Sequence, residues 1–222
     1  MFKKIIPAAC LLTWAVSANG AEVQGVVDQL QKSYDHIQSI EANFEQTYRS
    51  KRFDEKINRG KLAIVKPGKM RWDYREPKGK VLVSNGKEIL LYDPEDHQAL
   101  VTPQPAQSDL PVALAFLWGG AKLTDKFTVS LKGEKKTEDK QETTLRCLPK
   151  EPIPNVKEVF LTVRSGEPML VVASRVIDSL EGESEIRFTD IRVNPSIENR
   201  RFEFKPPKNT PIVSMPSLNV KP

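Results

Sequence analysis

The chain has 222 residues, 39% hydrophobic and 28% charged, and its 34 basic and 29 acidic side chains leave a net charge of +5. That length accommodates one sizeable domain with its own core. Opposite charges are interspersed rather than grouped, which excludes a nucleic-acid-binding stripe and leaves a weak pull toward anionic surfaces or acidic partners.

Lys3 and Lys4, an apolar run over 5–16 and the small residues 17–21 form a secretory signal peptide, so residues 1–21 are predicted to be removed on export. Losing Lys3 and Lys4 takes the charge from +5 to +3. No later stretch reaches the roughly 18 uninterrupted apolar residues of a membrane span. Cys10 sits inside the apolar run rather than at its end, which argues against a lipid anchor. With the leader removed Cys147 is alone, so the exported domain has no internal disulfide and rests on its packed core. Cys147 itself reads as a small apolar filler of a strand.

Val23, Val26, Val27, Leu30, Tyr34 and Ile37 then recur at helical spacing, with Gln24, Asp28, Gln31 and Lys32 off that stripe. From about Ser39 the period becomes two: Ile40, Ala42 and Phe44 alternate with Glu41, Asn43 and Glu45. Further strands are predicted over 58–65, 70–74, 80–84, 88–92 and 98–102, with a tight hairpin at Asn85-Gly86, whose residues accept positive backbone angles. Connections this short make neighbours antiparallel. Pro103, Pro105, Ser108, Asp109 and Pro111 interrupt the meander and lead into a short helix over 112–118. That helix is apolar nearly all round and stops at Gly119-Gly120. Strands resume over 127–132, 143–148, 156–163, 169–177 and 185–193, the charged run 132–140 reading as a solvated hairpin loop. A short 201–204 segment precedes a proline-rich tail, 206–222, with little reason to pack. Ten or eleven strands and two helices result, in one domain over 22–205.

Within 66–74, Met70, Trp72 and Tyr74 fall on one side of a strand and Arg71, Asp73 and Arg75 on the other. That apolar side closes a core or lines a pocket for something greasy. His36 and His97 stand apart from each other and from any cysteine, so a metal site has little support, and His36 reads as a surface residue. Phosphate-binding loops, dinucleotide fingerprints and the serine-nucleophile elbow are all missing, so no catalytic residue, metal or cofactor is assigned. Composition slightly favours a sandwich or closed barrel over a curved sheet covered by helices; periodicity alone does not separate them.

Several marks occur in order: Phe44-Glu45-Gln46, Gly60-Lys61-Leu62, Lys66-Pro67-Gly68-Lys69-Met70-Arg71-Trp72, Val83-Ser84-Asn85-Gly86-Lys87, Leu91-Tyr92-Asp93-Pro94 with Gln98, and Phe202-Glu203-Phe204-Lys205-Pro206-Pro207. In this order, after a leader, the chain resembles the LolA family of periplasmic lipoprotein carriers over nearly its whole mature length. The resemblance implies a mainly β fold, a curved antiparallel half-barrel of about eleven strands with helices covering the concave apolar face. It also implies a periplasmic monomer that binds the acyl chains of lipoproteins, receives them from the inner-membrane LolCDE transporter and delivers them to the outer-membrane receptor LolB. No nucleic acid takes part. On this reading Met70 and Trp72 line the acyl cavity, with Phe44, Tyr74, Val81, Val83, Leu91, Leu30, Phe116 and Leu117 as further lining. Ordinary core is an equal reading for Met70 and Trp72 and the stronger one for the others. The family commonly carries an aromatic residue where Met70 stands, and an arginine that latches the lid where Lys66 stands; lysine is a floppier single-point donor, so a weaker or differently built latch is expected. Alternatives are a carrier or sensor of another lipid on the same fold, a small secreted hydrolase, and a β domain with a filled core.

Overall fold

The helical stripe builds α1 (Ala15–His36), with Val27, Leu30 and Tyr34 buried and Gln24 and Asp28 exposed. The computed structural model describes residues 15–103, 122–136 and 141–214. Most of the expected leader, and the expected 112–118 helix with Phe116 and Leu117, lie outside them.

The alternating segments become β1 (Ser39–Ser50), β2 (Phe53–Val65), β3 (Lys69–Glu76), β4 (Val81–Asn85), β5 (Glu88–Asp93) and β6 (Gln98–Pro103). A one-turn helix, α2 (Leu123–Lys126), leads into β7 (Phe127–Lys136), β8 (Gln141–Pro149), β9 (Glu158–Arg164), β10 (Leu170–Ile177) and β11 (Glu183–Val193). Each expected strand is present, several of them longer than the alternation suggested, because ladder pairing carries the backbone past the last alternating residue. Thus 132–136, expected as hairpin loop, is still strand, with Lys136 opposite Gln141.

The C-terminal Ile212–Ser214 form a further strand, β12, and all twelve described strands make one sheet in the order β12-β6-β5-β4-β3-β2-β1-β11-β10-β9-β8-β7. The first meander runs outward from β1 to β6. The second starts at the far edge with β7 and returns to pair β11 with β1, Phe44 standing opposite Phe188. The sheet is curved and open, its outer strands β12 and β7 lying at opposite ends. Neither the sandwich nor the closed barrel is formed: the apolar side is covered by α1, which packs chiefly on β7, β10 and α2.

Two turns and the C-terminus differ from expectation. At the β4–β5 hairpin only Gly86 has positive φ (95°); Asn85 closes β4 and its side-chain oxygen accepts the N–H groups of Lys87 and Glu88 at 2.8 and 3.0 Å. Residues Asn199–Phe202 form a 3-10 turn laid over the convex side of the sheet. The described part of the tail, to Ser214, packs after all: β12 runs parallel to β6, with the Ala99 N–H bonded to the Pro211 carbonyl at 2.9 Å. An extended segment finds partners at a sheet edge whatever its side chains, because the backbone supplies them.

Candidate functional site

Cross-strand register arranges the concave face in rows. The first holds Ile40, Ile64, Met70, Ser84 and Ile89; the second, Ala42, Leu62, Trp72, Leu82 and Leu91; the third, Phe188, Phe44, Gly60 and Tyr74. Met70, Trp72 and Phe44 are all but inaccessible, as are Leu30 and Tyr34 of α1 above them. Four of the residues expected to line a cavity therefore meet in one cluster: Leu30, Phe44, Met70 and Trp72, with Tyr74 packed at its border. Phe44 sets its edge against Trp72 at 4.6 Å and Tyr74 at 5.1 Å between ring centroids, and Trp72 lies 6.3 Å from Phe188.

Gly60 makes this stack possible. A Cβ there would stand 2.7 Å from the Phe44 ring and 2.2 Å from the Asp73 carbonyl oxygen. Within the stack the Trp72 indole N–H is buried and has no hydrogen-bond partner among the described residues. Beneath the Tyr34 end of α1 lies a cavity of about 10 Å³, lined by Tyr34, Ile40, Ala42, Leu62, Ile64, Val171, Phe188 and Ile191, whereas the N-terminal half of the helix and β7 bound an open groove of about 480 Å³ between Val23, Val27, Phe127 and Leu131. The first has barely room for one water molecule. Among the described residues, the part of the face beneath the C-terminal half of α1 is thus nearly filled by side chains, and the part beside β7 is not.

Two other expected lining residues are on the wrong side. Val81 pairs with Asp73 and Val83 with Arg71, so both point to the convex face, where they pack with Ala63, Leu90 and Phe202. Alternation over 80–84 separates odd from even positions but does not say which set faces the helix; the β3–β4 connection decides that, and it brings Leu82 opposite Trp72. Leu91 does share the concave face, opposite Leu82, but it is half-buried and outside the buried cluster. The residues missed from sequence are Phe188, which completes the aromatic stack, and Tyr34, which reads there only as one member of a helical stripe.

Polar bonds fasten the C-terminal half of α1. The Lys66 ammonium donates to the Tyr34 carbonyl in the last turn of the helix and sits 5.8 Å from the Tyr34 ring. A cation there also meets the negative end of the helix dipole. On the other side, Met169 N–H donates to Ser33 Oγ at 2.9 Å and Val171 N–H to the Tyr34 hydroxyl at 3.2 Å. Burial pushes the Tyr34 hydroxyl well above the usual phenol range and lowers the Lys66 ammonium, the nearby Asp35 charge partly opposing the latter.

The convex patch is sealed by the chain itself. Phe202 is buried among Ala63, Val81, Val83 and Leu90, and Phe204 lies 5.7 Å from Tyr92. Arg71 binds the Arg201 and Glu203 carbonyls at 3.0 and 3.3 Å, pairs with Asp73 at 2.8 Å and stacks on Phe204. Arg201 pairs with Glu41 at 2.9 Å and Lys69 with Asn199 at 2.7 Å.

Chemistry is sparse. Among the described residues no group of three or more His, Cys, Asp or Glu could hold a metal ion. His36 is exposed and its Nδ1 donates to the Lys32 carbonyl at 2.8 Å. Cys147 is buried in the concave-face core, and burial alone pushes its thiol up to about 12, so it is unreactive filler.

The family model described as "Outer membrane lipoprotein carrier protein LolA" matches residues 35–205. An outer-membrane lipoprotein carrier protein from Dechloromonas aromatica (strain RCB) is 29% identical over 213 residues, covering 95% of this chain and 96% of that one. One from Legionella pneumophila (strain Paris) is 26% identical over 190 residues, covering 86% and 90%. An uncharacterized conserved protein from Thermus thermophilus has the same fold, with a TM-score of 0.56 at 11% identity over 87% of this chain and 99% of that one.

Proposed function

The chain belongs to the LolA family of outer membrane lipoprotein carrier proteins, and from that premise we propose that it carries lipoproteins across the periplasm with their acyl chains held on the concave face. LolCDE would load it and LolB would unload it. No bond is made or broken and no cofactor is used.

One observation supports this reading above the others: the apolar concave face of an open sheet is covered by a helix, not by a second sheet. Each methylene withdrawn from water contributes about 0.8 kcal/mol, so a multiply acylated anchor left in the aqueous periplasm would aggregate. A rigid core could not take such a ligand, since packed interiors have no spare volume. The cavity of about 10 Å³ beneath Tyr34 excludes an acyl chain as it stands, and the groove of about 480 Å³ between α1 and β7 gives one a place to enter. Seating a chain against Met70, Trp72 and Phe44 requires the C-terminal half of α1 to shift from them, and closing again restores the same apolar contacts. The bonds from Lys66, and to Ser33 and Tyr34, then act as the latch. Lys66 fills the role expected of the family arginine through a single ammonium at the end of α1.

The test is binding of an apolar fluorescent dye to the purified protein and to Met70→Glu. Wild type should enhance the dye's fluorescence, and the variant should stay folded with binding weakened about ten-fold or more. A wild type that leaves the dye dark has a filled core and no carrier function.

A further inference from the structure

Below the aromatic row the concave face changes character. The next cross-strand row runs Ser174, Ile186, Gln46, Asn58 over β10, β11, β1 and β2, and the row after it runs Val176, Ser184, Tyr48, Lys56 over the same strands. Three of the four strands thus present a neutral hydroxyl or amide in one row, and β11 adds Ser184 one row below, where the two rows above present only apolar and aromatic groups. Gln46 ties part of this row together: its Nε2 donates to Ser184 Oγ at 3.2 Å, and its Oε1 accepts from Asn58 Nδ2 at 3.5 Å.

The row has spare bonding capacity. Asn58 Oδ1 and Ser174 Oγ are both buried without a hydrogen-bond partner among the described residues, and Ser174 is 4% exposed. An unpaired polar group is costly to bury, and a filled apolar core would gain by replacing the Ser174 hydroxyl with a hydrogen. None of the four polar side chains is charged, and Lys56 of the adjoining row is exposed, so the buried groups themselves bring no charge to meet a phosphate or a carboxylate. They match a neutral ligand bearing carbonyls and N–H groups. Ser174 offers a donor to a carbonyl, and Asn58 Oδ1 an acceptor to an N–H.

We propose that Gln46, Asn58, Ser174 and Ser184 form a polar collar that binds the ester and amide linkages at the head of an acylated cargo, while its chains lie on the apolar rows above. The collar rests on the carrier reading and adds a site to it. It selects acyl chains joined to a glyceryl-cysteinyl head over plain hydrocarbon, and it sets the depth to which the chains enter. Rows in a strand repeat about every 7 Å, two residues at about 3.4 Å each, so a head at the collar leaves three rows, or roughly 20 Å, for the chains above it.

Two probes separate the collar from the cavity: a synthetic tripalmitoylated lipopeptide, which carries the linkages, and diphenylhexatriene, a hydrocarbon dye that carries none. Ser174→Ala and Asn58→Ala should each weaken lipopeptide binding about five-fold, and the double variant roughly 25-fold, with dye binding unchanged. Ser174→Ala should melt no lower than wild type, because the hydroxyl it removes has no partner; it decides the matter alone if Asn58→Ala does not fold. Lipopeptide affinity that survives the substitutions, or that falls in parallel with dye affinity, overturns the collar and leaves the carrier reading standing. A wild-type protein that takes up the dye but not the lipopeptide overturns both.

Discussion

The two faces of this sheet bury similar side chains and differ in what covers them. On the convex side Val81, Val83 and Leu90 lie under residues 197–204 of the same chain, held by Arg71 through two carbonyls and by the Arg201–Glu41 pair. On the concave side Met70, Trp72 and Phe44 lie under a helix whose C-terminal half is fastened by three side-chain bonds. Apolar burial alone therefore does not mark a ligand face. What differs is the fastening: one cover is strapped along its length, while the other, among the described residues, is pinned to the sheet through its C-terminal half.

If the convex face is purely structural, Phe202→Ala should be the most damaging single change, costing about 3–5 kcal/mol in denaturant unfolding. The folded fraction should still bind dye as wild type does. A loss of dye affinity there would make the two faces one functional unit and break the contrast.

Gly60→Ala comes next and tests the concave face from within. Its methyl would press Phe44 away from the β2–β3 ladder, for about 2–3 kcal/mol of stability. Dye binding should fall as well, because the aromatic row is displaced; retained binding would place the ligand elsewhere.

Lys66→Arg addresses the pin. A planar fork replaces a single ammonium at the end of α1, holding the empty form closed by about 0.5–1 kcal/mol more and releasing cargo to LolB about two- to five-fold more readily. Identical transfer by the two proteins removes Lys66 from the mechanism.

The smallest expected effect is a pH dependence. The Cys147 thiol, ordinarily near 9.0, is pushed up to about 12 by burial. Above pH 9 the unfolded thiol ionises while the folded one keeps its proton, so stability present below pH 9 is lost as pH rises toward 12. Between about pH 8 and 10 the loss is about 1 kcal/mol, and Cys147→Ala should lose that much less over the same interval. Burial raises the Tyr34 and Tyr74 hydroxyls too, adding a further loss above pH 10 that is common to both proteins. An unchanged slope would mean that Cys147 reaches solvent through the concave face.

Much of this molecule was legible residue by residue. The stripe from Val23 to Ile37 made α1, and alternation at Met70, Trp72 and Tyr74 put those three on one face, because helical and strand periods are properties of the local backbone. The same rule could not choose between Leu82 and Val83, since both lie on apolar alternations and only pairing with β3 orients them. Nor could it join Ser174, Gln46 and Asn58, which stand far apart in the chain and share a row only through three strand registers.

By itself the sequence determined the strands from β1 to β11, the first helix and the family. Tertiary structure alone decided that the sheet stays open, that the proline-rich tail supplies a twelfth strand, and which apolar set each cover hides. Periodicity is set by neighbours along the chain, whereas register, curvature and the choice of face are set by contacts between strands distant in sequence.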